Sequence, residues 1–396
     1  MSLRVVGMIS GTSYDAVEVA VADLAFDGDT VVATTRGTLS VEFPADLRAR
    51  VAAALPPAAT TLEEVCRLDT DLGRLFGAAA ARGVRELAGG TADLVVSHGQ
   101  TVYHWVEGRQ ALGTLQLGAA AWIAEACGCP VVSDLRTRDI TRGGHGAPLV
   151  SLLDALLILA GDEPRGSLNL GGIANITLRR DGEVLAWDLG PANALIDAAV
   201  AGLTDGAEAM DLDGARAARG RVRDDLLARL LDEPYYALPA PKSTGKELFH
   251  AAYVSDLVAL VERDSGVPVE PDDLVATLTE LTAELVGRAC RADALRELVV
   301  AGGGVRNPVL MARIRERCAP TELTTVEEYG LPSAAKEAYA FALLGFLTWH
   351  GLPATIPTAT GASAPSVLGS ITAGRAPLRL PAPAPAMPRR LVVLGP

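Results

Sequence analysis

The chain has 396 residues, 49% of them hydrophobic, and this length predicts two or three domains with a sizeable apolar core. Its formal net charge is −13 and it has no basic run longer than Arg389-Arg390, which argues against nucleic-acid binding. The five cysteines are scattered and complete no zinc site, and the sequence contains neither a signal peptide nor a membrane-spanning stretch, so we expect a cytoplasmic protein with reduced thiols.

The N-terminal stretch predicts a strand, a short polar turn and a second strand. Residues 4–9 are apolar and partly β-branched, and valines alternate with other residues over 17–21. The turn between them, Ser10-Gly-Thr-Ser13, is rich in glycine and hydroxyls, so its backbone N–H groups are suited to phosphate oxygens. Asp15 follows, where a carboxylate is suited to hold Mg²⁺ directly or through water. An ordinary hairpin turn is the alternative interpretation of the same residues.

The opening pattern comes a second time after the turn-rich stretch 161–166. Strands are predicted at 4–9, over the alternating valines of 17–21 and at 30–41 in the first meander, and at 167–170, 173–179 and 183–187 in the second. The second meander turns at Gly171-Gly172, and a strand at 298–301 that ends in glycines parallels the strand at 94–97. Two similar α/β halves predict a duplicated domain with a cleft between the copies.

The remaining patterns set the expected domain limits. Apolar residues at spacings of three and four predict helices within 45–88, over 272–293 and over 334–350. The Ala/Pro-rich end of the chain is expected to be extended or disordered. We therefore predict an N-terminal domain at 1–162, a C-terminal domain at 163–350, a segment at 351–378 that returns over the fold, and a tail at 379–396.

Asp188 is the strongest candidate for a catalytic group. It follows a predicted strand in Trp187-Asp188-Leu-Gly-Pro, and carboxylates at the carboxyl ends of strands face the ligand crevice in α/β folds. There it is suited to take a proton from an attacking hydroxyl or water, as the base in phosphoryl transfer does. The alternative is a cap on the next helix, although Ala192 or Asn193 is better placed for that role.

Other polar or glycine-rich strand ends are weaker candidates. The triple glycine of Gly302, Gly303 and Gly304 follows a strand and lets the backbone approach a ligand, but it is not a Walker A loop and also fits a simple turn. His98 and Gln100 end one strand, and Arg136, Arg138 and Asp139 follow another; they are candidate substrate ligands or ordinary surface and supporting residues. Glu337 lies at the start of a predicted helix, where a carboxylate also interacts favourably with the helix dipole whatever its function.

Together these motifs resemble the anhydro-N-acetylmuramic acid kinase family of the actin-like ATPase and sugar-kinase superfamily. The resemblance runs from about Val6 to Gly374. It is carried by Gly7-Met-Ile-Ser-Gly-Thr-Ser-Tyr-Asp15, Ser97-His-Gly-Gln-Thr-Val-Tyr-His104, Asp134-Leu-Arg-Thr-Arg-Asp139, Gly143-Gly-His-Gly-Ala-Pro148, Asn169-Leu-Gly-Gly-Ile-Ala-Asn-Ile176, Trp187-Asp-Leu-Gly-Pro-Ala-Asn193, Pro241-Lys-Ser-Thr-Gly-Lys-Glu-Leu-Phe249, Gly302-Gly-Gly-Val-Arg-Asn-Pro308 and Ala335-Lys-Glu-Ala-Tyr-Ala-Phe341.

The resemblance implies two actin-like (RNase H-like) α/β domains with an ATP and sugar cleft between them. It implies a coupled reaction of peptidoglycan recycling, in which water opens the 1,6-anhydro ring of anhydro-N-acetylmuramic acid while ATP phosphorylates O6. Asp188 would activate the water, and Mg²⁺ held by Asp15 would assist transfer. The partners implied are ATP and a sugar, without nucleic acid or membrane, and the family raises a homodimer as the oligomeric state.

The family motifs also imply the binding residues. The sugar would be bound by His98, Gln100, Arg136, Asp139 and Glu337. ATP would be bound by Gly11, Thr12, Ser13, Tyr14, Asp15, Ala16, Val17, Glu18, Gly171, Gly172, Gly302, Gly303 and Gly304.

Three positions depart from the family pattern, which usually has glycine at Ala16, threonine at Leu189 and glycine at Ala192. These changes bear on rate or sugar specificity, with Leu189 lacking a hydroxyl next to Asp188. Two alternatives therefore stay open: a kinase for a related amino sugar, and a nucleotide-binding sensor of the same fold without kinase activity. A sugar-dependent ATPase assay with the mass of the product separates them.

Overall fold

The structure is a computed structural model that describes residues 2–11, 13–108, 110–245 and 248–395. The chain divides into two compact units: unit 1 comprises Met1–Ala160 and Tyr329–Pro396, and unit 2 comprises Gly161–Glu328. The first boundary lies close to the one predicted after residue 162. The chain returns to unit 1 at Tyr329, whereas the sequence predicted a second domain that extends to residue 350.

The elements follow one another along the chain as follows. The first part of unit 1 has β1 (Leu3–Ser10), β2 (Ala16–Asp27), β3 (Thr30–Glu42), α1 (Ala45–Ala54), α2 (Leu62–Glu86), β4 (Leu94–Glu107), β5 (Gln110–Leu117), α3 (Ala120–Cys127), β6 (Val131–Ser133), α4 (Thr137–Ile140) and α5 (Ser151–Leu157). Unit 2 has β7 (Arg165–Leu170), β8 (Ile173–Arg180), β9 (Glu183–Pro191), α6 (Asn193–Leu203), α7 (Ala215–Arg219), α8 (Asp224–Leu231), α9 (Ala251–Ser265), α10 (Pro271–Ala292), β10 (Glu297–Ala301), α11 (Pro308–Cys318) and β11 (Glu322–Thr325). The last part of unit 1 has α12 (Lys336–Trp349), α13 (Pro357–Thr360), β12 (Ser370–Thr372) and β13 (Arg390–Leu394).

The sheet of unit 1 has the order β12-β6-β4-β1-β2-β3-β13, with β5 paired to β4. Strands β1, β2 and β3 form the predicted antiparallel meander, and β4 and β6 continue the sheet parallel to β1. Because parallel strands end at the same edge of a sheet, the residues that follow β1, β4 and β6 are gathered at one edge. These are the turn at Gly11, the end of the buried part of β4 and the segment at Arg136.

Helices cover both faces of this sheet. Leu68, Leu72 and Phe76 of α2 are fully buried in one apolar cluster with Val6 and Met8 of β1, which alternate towards that face. The opposite face carries α12, and the contact is so close that a Cβ atom on Gly7 would lie 2.1 Å from the carbonyl oxygen of Ala338. This packing is why the residues after Tyr329 belong to unit 1 rather than to unit 2.

We expect Gly7→Ala to destabilise the protein by about 1–3 kcal/mol, since the backbone of α12 must move to admit the methyl group. Chemical denaturation followed by far-UV circular dichroism measures this change. Gly202→Ala is the matched control, because a Cβ there meets nothing within 4 Å and lies in α6. It should be neutral or stabilise by up to about 1 kcal/mol. Equal stability of the two variants would contradict the close packing of α12 on β1.

The sheet of unit 2 repeats the same topology, with the order β11-β10-β7-β8-β9. Strands β7, β8 and β9 form an antiparallel meander, and β10 and β11 are parallel to β7. Its core lies between the meander and helices α10 and α11, with Leu168 and Ile176 in one cluster with Val286 and Ile314. An antiparallel meander extended by parallel strands beside its first strand occurs in both units, which confirms the predicted fold class of two actin-like α/β units.

The end of the chain is more ordered than the sequence indicated. The segment predicted as an extended or disordered tail contains β13, which is parallel to β3 at the edge of the unit 1 sheet. Leu391 is buried, and the hydroxyl of Thr35 donates to the carbonyl of Leu394 at 3.2 Å.

Among the residues that the structure describes, no helix is long and apolar enough to cross a membrane.

Candidate active site

The N-terminal turn connects β1 to β2 in unit 1. Tyr14 donates its N–H to the carbonyl of Gly11 at 3.2 Å and has a positive φ of 40°, so the chain reverses tightly here. Gly11, Ser13 and Asp15 are all exposed at this turn. Thr12, predicted to bind ATP, lies outside the described residues. The hairpin geometry is therefore present, and the turn offers exposed backbone and hydroxyl groups to an anionic ligand.

Asp15, the predicted magnesium ligand, is already oriented within the turn. Its Oδ1 atom accepts hydrogen bonds from the Ser13 hydroxyl at 2.5 Å and from the Ala16 N–H at 3.1 Å. In the part of the chain that the structure describes, no group of three or more metal-ligating side chains is present. Mg²⁺ is typically bound by one or two carboxylates together with waters and substrate phosphates, and Asp15 supplies one such carboxylate.

The other predicted ATP-binding residues of this stretch lie in β2. Val17 is fully buried in the core, so its side chain offers no surface to a ligand. Glu18 lies on the other face, where the Ser40 hydroxyl donates to it at 2.8 Å. Burial raises the pKa of Glu18, and the Ser40 hydrogen bond opposes that rise. Ala16, which replaces the usual glycine, is partly buried at the start of the strand.

Gln100 connects the turn to β4. Its side chain is 1% exposed and accepts a hydrogen bond from the Ser10 hydroxyl at 2.6 Å. Its amide nitrogen donates to the carbonyls of Gly11 at 3.3 Å and Thr101 at 3.1 Å. The side chain predicted to bind the sugar thus has its polar atoms engaged within unit 1, where it fixes the turn.

His98 and Arg136 form a buried pair whose proton positions follow from geometry. Arg136 donates from Nε to His98 Nε2 at 2.8 Å, and His98 Nδ1 lies 2.9 Å from the carbonyl oxygen of Gly99. Because a guanidinium only donates, Nε2 must accept, and the imidazole is neutral with its proton on Nδ1. Burial, followed by the Arg136 charge, lowers the pKa of His98 well below its usual value. His98 therefore holds Arg136 in place.

Arg136 and Glu337 are two oppositely charged groups at this edge of unit 1. Arg136 also donates from Nη1 to the carbonyl of Gly146 at 2.6 Å. Burial lowers the pKa of Arg136 although Glu337 opposes the shift, and the guanidinium stays charged at any working pH. Burial raises the pKa of Glu337, against the attraction of Arg136 and Lys336. A partly buried cation and carboxylate are well suited to bind the hydroxyl groups of a sugar.

Asp139 is fully buried and organises two loops. Its Oδ2 accepts from the Gly146 N–H and its Oδ1 from the Thr360 hydroxyl, both at 2.8 Å. A Cβ on Gly144 would lie 2.2 Å from Oδ2, so the glycine loop wraps closely around this carboxylate. Asp139, predicted to bind the sugar directly, is placed to act on a ligand through the loop that it holds. Arg138, in contrast, is exposed.

Asp188 lies in unit 2 within β9, which continues to Pro191 instead of ending at residue 187 as predicted. A β-bulge in the β8–β9 pairing sets Asp188 opposite Asn175. Trp187 and Leu189 both belong to the apolar core, so alternation along the strand points Asp188 to the other face. The Thr244 N–H donates to Asp188 Oδ2 at 2.9 Å.

The two family departures near Asp188 are buried in the core. Leu189 is 7% exposed and Ala192 is 1% exposed, and both belong to the same apolar cluster. Leu189 thus fills the core instead of lining the face that carries the Asp188 carboxylate. Ala192 donates its N–H to the carbonyl of Gly172 at 2.9 Å. The effect of Leu189 and Ala192 on rate or sugar specificity stays a prediction.

The glycine turns of unit 2 are neighbours. Asn169 pairs with Ala301 in the parallel β7–β10 ladder, so the turns at Gly171-Gly172 and 302–304 follow adjacent strand ends. Gly302 has a φ of +94°, and a Cβ there would lie 2.5 Å from Oδ1 of Asn169. Gly303 is exposed, and a Cβ atom added to it would meet no other atom closer than 4.0 Å. The structure therefore brings these predicted residues together and leaves room for a ligand at Gly303.

Sequence reasoning missed several supporting residues. It assigned no role to Tyr235, Lys242 and Thr244, whose loop contacts Asp188. Lys242 and Thr244 nevertheless lie in one of the motifs that carry the family resemblance. Sequence reasoning also missed the contacts of Thr360 with Asp139 and of Lys336 with Asp154. These partners are distant along the chain, and no local pattern signals them.

Comparison with known proteins identifies the family. The family model described as "Anhydro-N-acetylmuramic acid kinase" matches residues 3–374. Three relatives of that name are similar over almost their whole length. The Streptomyces coelicolor protein is 58% identical over 395 residues, covering 99% of this chain and 100% of the relative. The Streptomyces avermitilis protein is 56% identical over 391 residues, with the same coverage of 99% and 100%. The Rhodococcus erythropolis protein is 53% identical over 380 residues, covering 94% of each. The chain belongs to the anhydro-N-acetylmuramic acid kinase family.

Proposed function

We propose that the protein converts 1,6-anhydro-N-acetylmuramic acid, water and ATP to N-acetylmuramic acid 6-phosphate and ADP, a step of peptidoglycan recycling. Membership of the kinase family supports ATP-dependent transfer to this sugar. The observation that carries the proposal is the placement of Asp188. Its carboxylate lies on the face of β9 opposite the core, and one oxygen is held by the Thr244 N–H. A general base needs such a fixed and accessible carboxylate.

Asp188 is the base in this reaction. It takes a proton from the water that attacks C1 of the sugar, and the bond from C1 to O6 breaks as the new bond forms. The freed O6 then attacks the γ-phosphorus of ATP, so that the bond to the β–γ bridging oxygen breaks and ADP leaves. Asp188 acts only on the water, while the phosphoryl group is positioned by other residues.

The sugar is bound by the residues at the edge of the unit 1 sheet. Arg136 and Glu337 are partly buried and oppositely charged, so they are the groups that contact its hydroxyl and carboxylate oxygens. His98, Gln100 and Asp139 support them, because their polar atoms are engaged by Arg136, by the N-terminal turn and by the glycine loop.

The phosphates of ATP bind at the exposed backbone of the N-terminal turn, which includes Gly11 and Ser13. Gly303 and its neighbouring glycine turn provide the nucleotide contacts of unit 2. Asp15 would hold Mg²⁺, and its Oδ1 atom is already oriented by Ser13 and Ala16. The metal, when bound, neutralises charge on the phosphate oxygens.

The test is a sugar-dependent ATPase assay in which the product is weighed by mass spectrometry. We expect ADP to form only when the anhydro sugar is present, and the product to be heavier than the sugar by one water plus one phosphoryl group. ADP formation at the same rate without sugar would refute the kinase activity. A product heavier by the phosphoryl group alone would refute the coupled ring opening and support a simple kinase of a related amino sugar.

A further inference from the structure

A single loop holds Asp188 from three sides. The Tyr235 hydroxyl donates to the Asp188 carbonyl at 2.8 Å, and the Asp188 N–H donates to the Lys242 carbonyl at 3.0 Å. The Thr244 N–H donates to the Asp188 carboxylate at 2.9 Å. The backbone and the side chain of the proposed base are therefore both set by residues 235–244. Contacts that hold this loop in place therefore also set the position of Asp188.

The side chain of Lys242 ties the two ends of that loop together. Its ammonium group donates to the carbonyls of Tyr235 and Tyr236, both at 3.0 Å, and lies 4.6 Å from the centre of the Tyr235 ring. Those carbonyls belong to the 3₁₀ helix Pro234–Ala237, whose carboxyl end attracts a cation. Burial lowers the pKa of Lys242, and the negative charge of Asp188 opposes that shift.

We propose that Lys242 is a positioning residue for Asp188. By bridging the 3₁₀ helix to the stretch that follows Pro241, its ammonium holds the Thr244 N–H against the Asp188 carboxylate and keeps the base aimed at the water. Lys242 does not itself exchange a proton in the reaction. This inference rests on the proposed function, since it assumes that Asp188 is the base.

The packing beneath the loop does not depend on Lys242. Tyr236 stacks on Phe249 with ring centres 6.0 Å apart and an interplanar angle of 6°, and Phe249 meets Tyr253 edge to face. Tyr235 and Phe249 are buried in the same apolar cluster. Because this aromatic cluster anchors the first half of the loop, loss of the ammonium should change the position of Thr244 and Asp188 rather than unfold unit 2.

The experiment compares Lys242→Met, which keeps the length and apolar stem, with Lys242→Arg, which keeps the charge and the donors. Steady-state kinetics are measured with ATP and the anhydro sugar, together with Tm. We expect Lys242→Met to lower kcat on the order of 100-fold, the cost of a displacement of about 1 Å in a catalytic group, with both KM values and Tm nearly unchanged. Lys242→Arg should recover to within about ten-fold of wild type, because a guanidinium also donates to two carbonyls.

The controls separate this inference from the proposed function. Arg229→Met removes a cation of the same unit that pairs with Asp264 on the surface, and it should leave kcat unchanged. If the wild-type protein forms no phosphorylated sugar, the proposed function fails. If the wild type is active, three results would overturn the role of Lys242: a Lys242→Met kcat near that of wild type, a loss of kcat matched by a collapse of Tm, or a Lys242→Arg variant no better than Lys242→Met.

Discussion

Replacement of Asp188 by asparagine should lower kcat by on the order of 10²–10⁴-fold while ATP still binds. Asparagine has the shape of aspartate, and its amide oxygen can accept the hydrogen bond that the Thr244 N–H now donates to Oδ2. It therefore preserves the loop and the β8–β9 pairing. What it removes is the ability to take a proton from water, which is the function assigned to this carboxylate.

Initial rates of sugar-dependent ADP release measure kcat, and titration with a fluorescent ATP analogue measures nucleotide affinity. Asp181→Asn is the matched control, because it makes the same chemical change in the same hairpin. Asp181 is exposed in the turn that joins β8 to β9. The control variant should keep kcat within about two-fold, as is usual for substitutions remote from special features. Wild-type turnover by the Asp188→Asn variant would remove Asp188 from the role of base.

The sequence was most informative where a local pattern determines the structure. Valine alternation over 17–21 and the turn glycines predicted both meanders, because the period of two and the need for tight turns are properties of a single stretch of chain. The residues near the ends of the parallel strands of unit 1 lie together, as the contacts from His98 to Arg136 and from Ser10 to Gln100 show. The binding roles of these residues stay predictions.

The sequence was least informative where burial and partners come from distant segments. His98, Gln100 and Asp139 were treated as ligands of the sugar, yet each is buried with its polar atoms bonded to protein. A strand-end position identifies polar residues near a site but does not say which of them face the ligand. Likewise, the hairpin strand β5 was not predicted, because its pairing with β4 contains two register irregularities that interrupt simple alternation.

The family departures show the same limit. Leu189 was expected to affect the site because it is next to Asp188 in the sequence. In a strand, however, neighbours point to opposite faces, and Leu189 packs with Leu170 in the core. Sequence adjacency therefore overstated its proximity to the chemistry. The tertiary neighbours of Asp188, Tyr235 and Thr244, are separated from it by a long stretch that contains three α-helices.

Breaking the buried ion pair of Lys336 with Asp154 should destabilise unit 1 strongly. Its Nζ and Oδ1 atoms are 2.6 Å apart, and the two side chains are only 4% and 7% exposed. Removal of one partner leaves the other charge buried without compensation, so we expect Lys336→Met to lower the free energy of unfolding by about 3–5 kcal/mol. Because Lys336 precedes Glu337 at the start of α12, the same change should also raise KM for the sugar.

Urea denaturation of Lys336→Met, Asp154→Leu and the double variant measures the coupling of the pair. The double variant should lose less than the sum of the two single losses, since it leaves no lone buried charge. Arg67→Met is the matched control: Arg67 pairs with Glu63 at exposures of 65% and 71%, and an exposed pair contributes about 0–1 kcal/mol. Strictly additive losses in the cycle would mean that the two charges do not stabilise one another, and that α12 is held at this end by its apolar packing alone.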